Sequence, residues 1–254
     1  MTGFGSDRSA RRRTQESWRA RFSTSSSALR TAQKTARGVS LYSTWINRPF
    51  GRRLAALADV WAFKPNHVTV LSASCSFAAI TALIALRPSL LSGVLASSLL
   101  VLGFALDSAD GQLARLRRAG SAAGEYLDHM LDCAVKSTLH AAVLIAAYRL
   151  GQRGAELLVP LGFLIVALLL FFGGILVAKL REQSTQGEAV RPARRISSRV
   201  SSVLLLPADH GVVALSFLLW GSFEVFSAVY LLLFMAHVAL LAAFSVAWFR
   251  ELSG

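Results

Sequence analysis

From residue 67 onward the chain alternates between long apolar runs and short polar connections. Six runs stand out, at about 67–86, 90–107, 128–148, 157–178, 201–220 and 225–247. Each approaches the roughly 20 residues that a helix needs to cross the hydrocarbon core of a bilayer. Lipid also favours helices, because backbone N–H and C=O groups there must be satisfied within the segment. The expected architecture is an all-α integral membrane protein, with six transmembrane helices forming one domain over 64–254 and no internal repeat. A different pattern precedes it. Between Tyr42 and Phe63, Trp45, Phe50, Leu54, Leu57 and Trp61 recur at three- to five-residue spacing, with Arg48, Arg52 and Arg53 between them. This predicts an amphipathic helix over 41–63 lying in the membrane interface, with Pro49 in its first turn.

Charge refines this picture. Of the 254 residues 54% are apolar, yet the formal net charge is +13. Basic excess on so apolar a chain points to spans with basic flanks and excludes a nucleic-acid binder, which would lack the apolar runs. Arg115, Arg117 and Arg118 fall between runs two and three, and Lys179, Arg181, Arg191, Arg194, Arg195 and Arg199 between runs four and five. The opposite connections hold only Arg87, Arg149 and Arg153. The positive-inside rule then places both termini and the two basic loops in the cytoplasm, with the chain multi-pass in the cell's inner or plasma membrane. Residues 1–40 are rich in Ser, Thr and Arg and poor in large apolar groups, so they are expected to be a disordered basic tail. Transit peptides and tails lying on anionic lipid share that composition. Cys75 and Cys133 sit in or beside apolar runs and read as buried thiols rather than a disulfide framework.

The chemistry gathers where the second run ends. Asp107 and Asp110 are three residues apart and Asp128 and Asp132 four apart, so each pair shares a helix face. Two helices joined by a tight turn would bring four carboxylates together at the cytoplasmic edge of the membrane. Such a cluster needs a compensating cation, and hard divalent ions, Mg²⁺ or Mn²⁺, prefer carboxylate oxygen. One ion or two would serve, and a pair could clamp the attacking and leaving oxygens of a phosphoryl transfer. Gly111, Ala114 and Gly124 are small where bulk would keep a nucleotide from the backbone, and Arg115 offers a fork for phosphate oxygens. A cation transporter would spread ionisable residues along the membrane depth. Clustering at one edge beside Arg115 favours an enzyme over a transporter or a membrane scaffold.

The stretch Asp107-x2-Asp110-Gly111-x2-Ala114-Arg115-x8-Gly124-x3-Asp128-x3-Asp132 resembles the signature of the CDP-alcohol phosphotransferase (CDP-alcohol phosphatidyltransferase) family at every specified position. Pro65-Asn66-His67-Val68-Thr69 is similar to that family's entry to the first span. The resemblance implies a homodimeric six-helix membrane enzyme with a polar cavity open to the cytoplasm. It implies that Asp107, Asp110, Asp128 and Asp132 bind one or two divalent metals, and that Asp132 is the general base for an acceptor hydroxyl. Gly111, Ala114, Arg115, Gly124 and Asn66 would line the CDP site. The implied donor is CDP-diacylglycerol, with CMP as leaving group and a phospholipid as product; a soluble CDP-alcohol donor with a lipid acceptor is the alternative. The acceptor is open among glycerol 3-phosphate, inositol phosphate, serine and a sugar alcohol. Candidate acceptor residues are Lys136, one turn beyond Asp132, Lys179 at the cytoplasmic mouth, and Asp209 and His210 early in the fifth run. His129 and His140 read as satisfied imidazoles, Gly173-Gly174 as a close helix contact. Phe226, Tyr230, Phe234, Phe244 and Trp248 read as packing or lipid-facing residues.

Overall fold

The computed structural model describes residues 4–31, 39–184 and 202–253, and every regular element among them is helical. In chain order these are α1 (Phe4–Thr31), a π-helical turn (Ser43–Asn47) running into α2 (Arg48–Val60), α3 (Pro65–Ala85), α4 (Leu90–Arg117), α5 (Ala122–Arg149) and α6 (Ala155–Ser184). The short α7 (His210–Ser216) follows, flanked by 3₁₀ turns at Leu206–Ala208 and Phe217–Leu219, and α8 (Phe223–Leu252) ends the chain. Five helices, α3 to α6 and α8, are long and apolar enough to cross a membrane. Their starts follow local chemistry. Pro65 opens α3, where its missing N–H costs nothing. Ser89 and Ser92 form a reciprocal capping box on α4. The Ser121 hydroxyl accepts from the Gly124 N–H at the head of α5.

Two expectations change. The fifth apolar run, 201–220, is not one long helix: its described part breaks at Pro207 and Asp209, and the apolar helical stretch His210–Leu219 is short. Pro207 donates no backbone hydrogen bond. Asp209 adopts an extended conformation and caps α7, accepting from the Gly211 N–H at 2.8 Å. Its other oxygen accepts from the Ser43 hydroxyl at 2.6 Å, the Ser43 N–H at 3.2 Å and the Ser40 hydroxyl. Asp209 thus ties the break to the segment entering α2. Replacing it with Ala takes this acceptor from the Gly211 N–H and the Ser40 and Ser43 hydroxyls and is expected to lower stability by about 1–3 kcal/mol, read as a fall in unfolding temperature in detergent.

The second change is in the tail. Residues Phe4–Thr31, expected to be disordered, form α1. Its C-terminal half has an apolar stripe that composition alone concealed: Leu29 is fully buried and Phe22 packs with it against Ala55, Ala56 and Ala58 of α2 and Leu113 of α4. Polar contacts add to this, with Ser25 donating to Asp59 at 2.6 Å and Arg21 to the Val60 carbonyl at 3.1 Å. Residues 1–3 and 32–38 of the tail lie outside the described residues, as do Arg191, Arg194, Arg195 and Arg199.

α2 is amphipathic as expected. It buries Gly51, Ala55, Ala56 and Ala58 and leaves Phe50 exposed, as are Trp45 in the turn before it and Trp61 just after it. Gly51 is needed there, because a Cβ would lie 2.9 Å from the Ala105 carbonyl of α4. α3 and α4 meet through small residues and hydroxyls, as membrane helices do, with Ser72 donating to the Gly103 carbonyl at 2.8 Å. Farther from α2, an aromatic core of Phe163, Phe217, Trp220, Phe226 and Tyr230 joins α6, α7 and α8 to α5. Phe226 and Tyr230 therefore pack internally. Gly173 is the expected close contact, against the Trp248 ring, whereas Gly174 faces open space.

Candidate active site

α4 ends and α5 begins at the same edge of the bundle, so their carboxylates converge. Arg117 anchors that edge: its Nε donates to Asp59 Oδ1 at 2.8 Å and its other nitrogens to the Phe63 and Asp59 carbonyls. Arg118 then takes a left-handed conformation, φ 50°, which stops α4 and turns the chain toward Ser121. The tight turn expected between the two aspartate pairs is present.

Asp107, Asp110 and Asp128 each place a carboxylate oxygen within 4.8 Å of the others. Asp110 is buried, at 5% exposure, and its Oδ2 has no hydrogen-bond partner among the described residues. A buried carboxylate oxygen without a donor is costly unless a cation meets it. Three carboxylates this close fit Mg²⁺ or Mn²⁺ in kind. Asp132 is outside this trio but lines the same deep cavity as Asp107 and Asp128. Its Oδ2 accepts from Lys136 Nζ at 2.8 Å, and Lys136 also lies over the Phe171 ring, 4.6 Å from the centroid.

Two cavities meet at the aspartates. The larger, about 890 Å³, is lined by Asn66, Gly111, Ala114, Arg115 and Gly124 together with Asp110 and Asp128. All five residues expected at the CDP site therefore face one space, of a size suited to a nucleotide. Its far wall is the C-terminal end of α6, where Gly174 leaves room and Lys179 pairs with Glu125 at 2.6 Å and Glu182 at 3.2 Å. The smaller, with room of about 40 Å³, lies deeper and is lined by Asp107, Asp128, Asp132, Lys136 and His210. That is space for an ion and a few polar atoms rather than a substrate body.

The four candidate acceptor residues part company. Lys136 and His210 share the deep cavity with Asp132, and Lys179 stands on the larger one. The Asp209 carboxylate faces Ser40, Ser43 and the Gly211 N–H and lines neither. Its adjacency to His210 in sequence suggested a shared site; capping turns the two side chains to different partners. His140 is a satisfied imidazole, with Nδ1 2.6 Å from the Tyr230 hydroxyl. His129 borders the larger cavity, 3.7 Å from Glu125. Thr69, the last residue of the Pro65–Thr69 motif, also lines the deep cavity, with Ser72 and Ser76 of α3, which carried no mark beyond being hydroxyls in an apolar run.

No curated protein matches the sequence. Among solved structures, the phosphatidylinositol phosphate synthase of Mycobacterium tuberculosis, crystallised with CDP-DAG bound, is similar at 20% identity and a TM-score of 0.49, over 78% of this chain and 90% of that one. The model of the CDP-alcohol phosphatidyltransferase family matches residues 62–249, a span that holds the whole signature and both cavities. The chain belongs to the CDP-alcohol phosphatidyltransferase family.

Proposed function

We propose that the protein transfers the phosphatidyl group of CDP-diacylglycerol to the hydroxyl of an acceptor alcohol and releases CMP. One observation supports this above the rest. Asp132, held by Lys136 but outside the carboxylate trio, sits in a polar space that adjoins a nucleotide-sized cavity. In this reading Gly111, Ala114, Gly124 and Asn66 let the nucleotide lie against α4 and α5, and Arg115 engages phosphate oxygen. Asp107, Asp110 and Asp128 would hold Mg²⁺ or Mn²⁺, which when bound would offset the charge of the diphosphate. Asp132 takes the proton of the acceptor hydroxyl through Oδ1. The acceptor oxygen bonds to the phosphorus that carries diacylglycerol, the bond from that phosphorus to CMP breaks, and CMP departs with the electron pair.

Basic residues mark the membrane side. Arg115, Arg117 and Arg118 at the α4–α5 turn and Lys179 and Arg181 at the end of α6 lie at the same edge as the site, which supports a cytoplasmic active site. Exposed Leu158, Leu161, Ile165, Leu169, Phe172 and Leu176 run along one face of α6 at helical spacing. That face suits lipid or a second copy, and a homodimer belongs to this reading; cross-linking in native membranes tests it.

The deciding experiment is CMP release by protein in lipid vesicles with labelled CDP-diacylglycerol, Mg²⁺ or Mn²⁺ and a panel of alcohols. Acceptor-dependent CMP release, lost with chelator, is the expected result. Release from a soluble CDP-alcohol with diacylglycerol as acceptor, and not from CDP-diacylglycerol, would reverse the donor assignment. Gly124 gives a separate check. A Cβ there would lie 3.1 Å from Asn66 Oδ1 and 3.2 Å from Ser121 Oγ. Gly124→Val is therefore expected to raise the KM for the CDP donor by about tenfold and to leave the acceptor KM unchanged.

A further inference from the structure

A third cavity, of about 250 Å³, lies between α5, α6, α7 and α8. Lys136 and His210 line both it and the deep polar cavity that contains Asp132. A molecule resting in it would present its end to Asp132 between those two side chains. Resting on the function proposed above, we infer that this cavity is the acceptor site and that it takes a small uncharged alcohol or polyol, not a phosphorylated one.

Charge decides the class. Lys136 is the only cation on the cavity wall among the described residues, and it is already paired with Asp132 and laid on the Phe171 ring. Among the described residues no guanidinium lines the cavity; Arg181, farther along α6, forks onto Glu251 at 2.6 and 2.7 Å instead. A phosphate dianion in so apolar a place would need several charge-assisted donors. A neutral hydroxyl compound needs only dipolar partners, and histidines supply them. His237 is buried, and its Nδ1 lies 2.8 Å from the Leu233 carbonyl. A carbonyl can only accept, so Nδ1 carries the proton and Nε2 is an acceptor for an O–H. His210 is held edge-on against Phe104 at 5.2 Å between centroids, with its ring between the two cavities. Phe171, Phe244 and Trp248, the last two stacked at 5.3 Å, offer apolar faces to a carbon skeleton. The volume falls below the range of drug-sized pockets, which suits a small polyol and leaves no place for acyl chains.

The test is an acceptor panel with the full-length protein in vesicles containing CDP-diacylglycerol and Mg²⁺, with CMP as readout. Glycerol, myo-inositol and sugar alcohols are compared with glycerol 3-phosphate, inositol 1-phosphate and serine. The expected result is CMP release with an uncharged alcohol and none with the charged compounds. His237→Phe and His210→Phe should each raise the acceptor KM about ten- to hundredfold with the CDP-diacylglycerol KM unchanged, which also shows that the variants fold. His237→Gln keeps a carbonyl acceptor and should recover most of the loss. CMP release with a phosphorylated alcohol or serine would overturn this inference while sustaining the proposed function. So would an acceptor KM unmoved by both histidine variants. No CMP release with any acceptor would overturn the proposed function and the inference with it.

Discussion

Asp132→Asn is expected to lower CMP release by about 10²–10⁴-fold, the range associated with a positioned general base, while leaving the KM for the CDP donor unchanged. Asparagine keeps the shape of the side chain, and its amide oxygen can still accept from Lys136 Nζ, which stands 2.8 Å from Oδ2 in the native pair. What it loses is the ability to take a proton. Because the close carboxylate trio is Asp107, Asp110 and Asp128, the variant leaves those three candidate ligands in place. The concentration of Mg²⁺ giving half-maximal residual activity should therefore not move. Steady-state CMP release at saturating donor and acceptor, followed by a Mg²⁺ titration, checks both statements. Turnover near the native rate would shift the base to another group in the deep cavity, and a changed Mg²⁺ requirement would make Asp132 a metal ligand instead.

Residue spacing carried the site further than it carried the fold. Three- and four-residue intervals set the carboxylates on shared helix faces, and Gly111, Ala114 and Gly124 between them line one cavity. Both follow from helical geometry alone, which sequence expresses directly. The pairing of Asp132 with Lys136 could not be read that way, since it is settled by side-chain placement. The fifth apolar run had the length of a span, yet Pro207 and the cap by Asp209 divide it; hydropathy counts carbon and is blind to both. α1 was hidden for the opposite reason. Its polar average masked Phe22 and Leu29, which matter because α2 and α4 present alanines and Leu113 to them. The histidine cavity was the least legible part. Lys136 and His140 share a face of α5 by spacing, but His210 and His237 come from two other helices, and only packing brings them to the same wall.

The carboxylate trio makes the second large prediction, and it crosses sign with metal. Without a divalent ion, three carboxylates with oxygens within 4.8 Å of one another repel, and Asp110 Oδ2 is buried with no partner among the described residues. Asp110→Asn removes one charge from that cluster and should raise the unfolding temperature of the chelator-treated protein. Adding Mg²⁺ or Mn²⁺ stabilises whichever protein binds it in the folded state alone. The native protein should then gain a larger rise than Asp110→Asn, and the order of the two should narrow or reverse. Activity should follow the same logic: chelation is expected to abolish CMP release, either ion to restore it, and Asp107→Asn, Asp110→Asn and Asp128→Asn each to reduce it by about 10²–10³-fold at fixed Mg²⁺. Thermal unfolding of the pair with and without metal separates the electrostatic account from a packing role. If Asp110→Asn lowers the unfolding temperature equally in chelator and in Mg²⁺, the carboxylate is a packing element and the metal is held elsewhere.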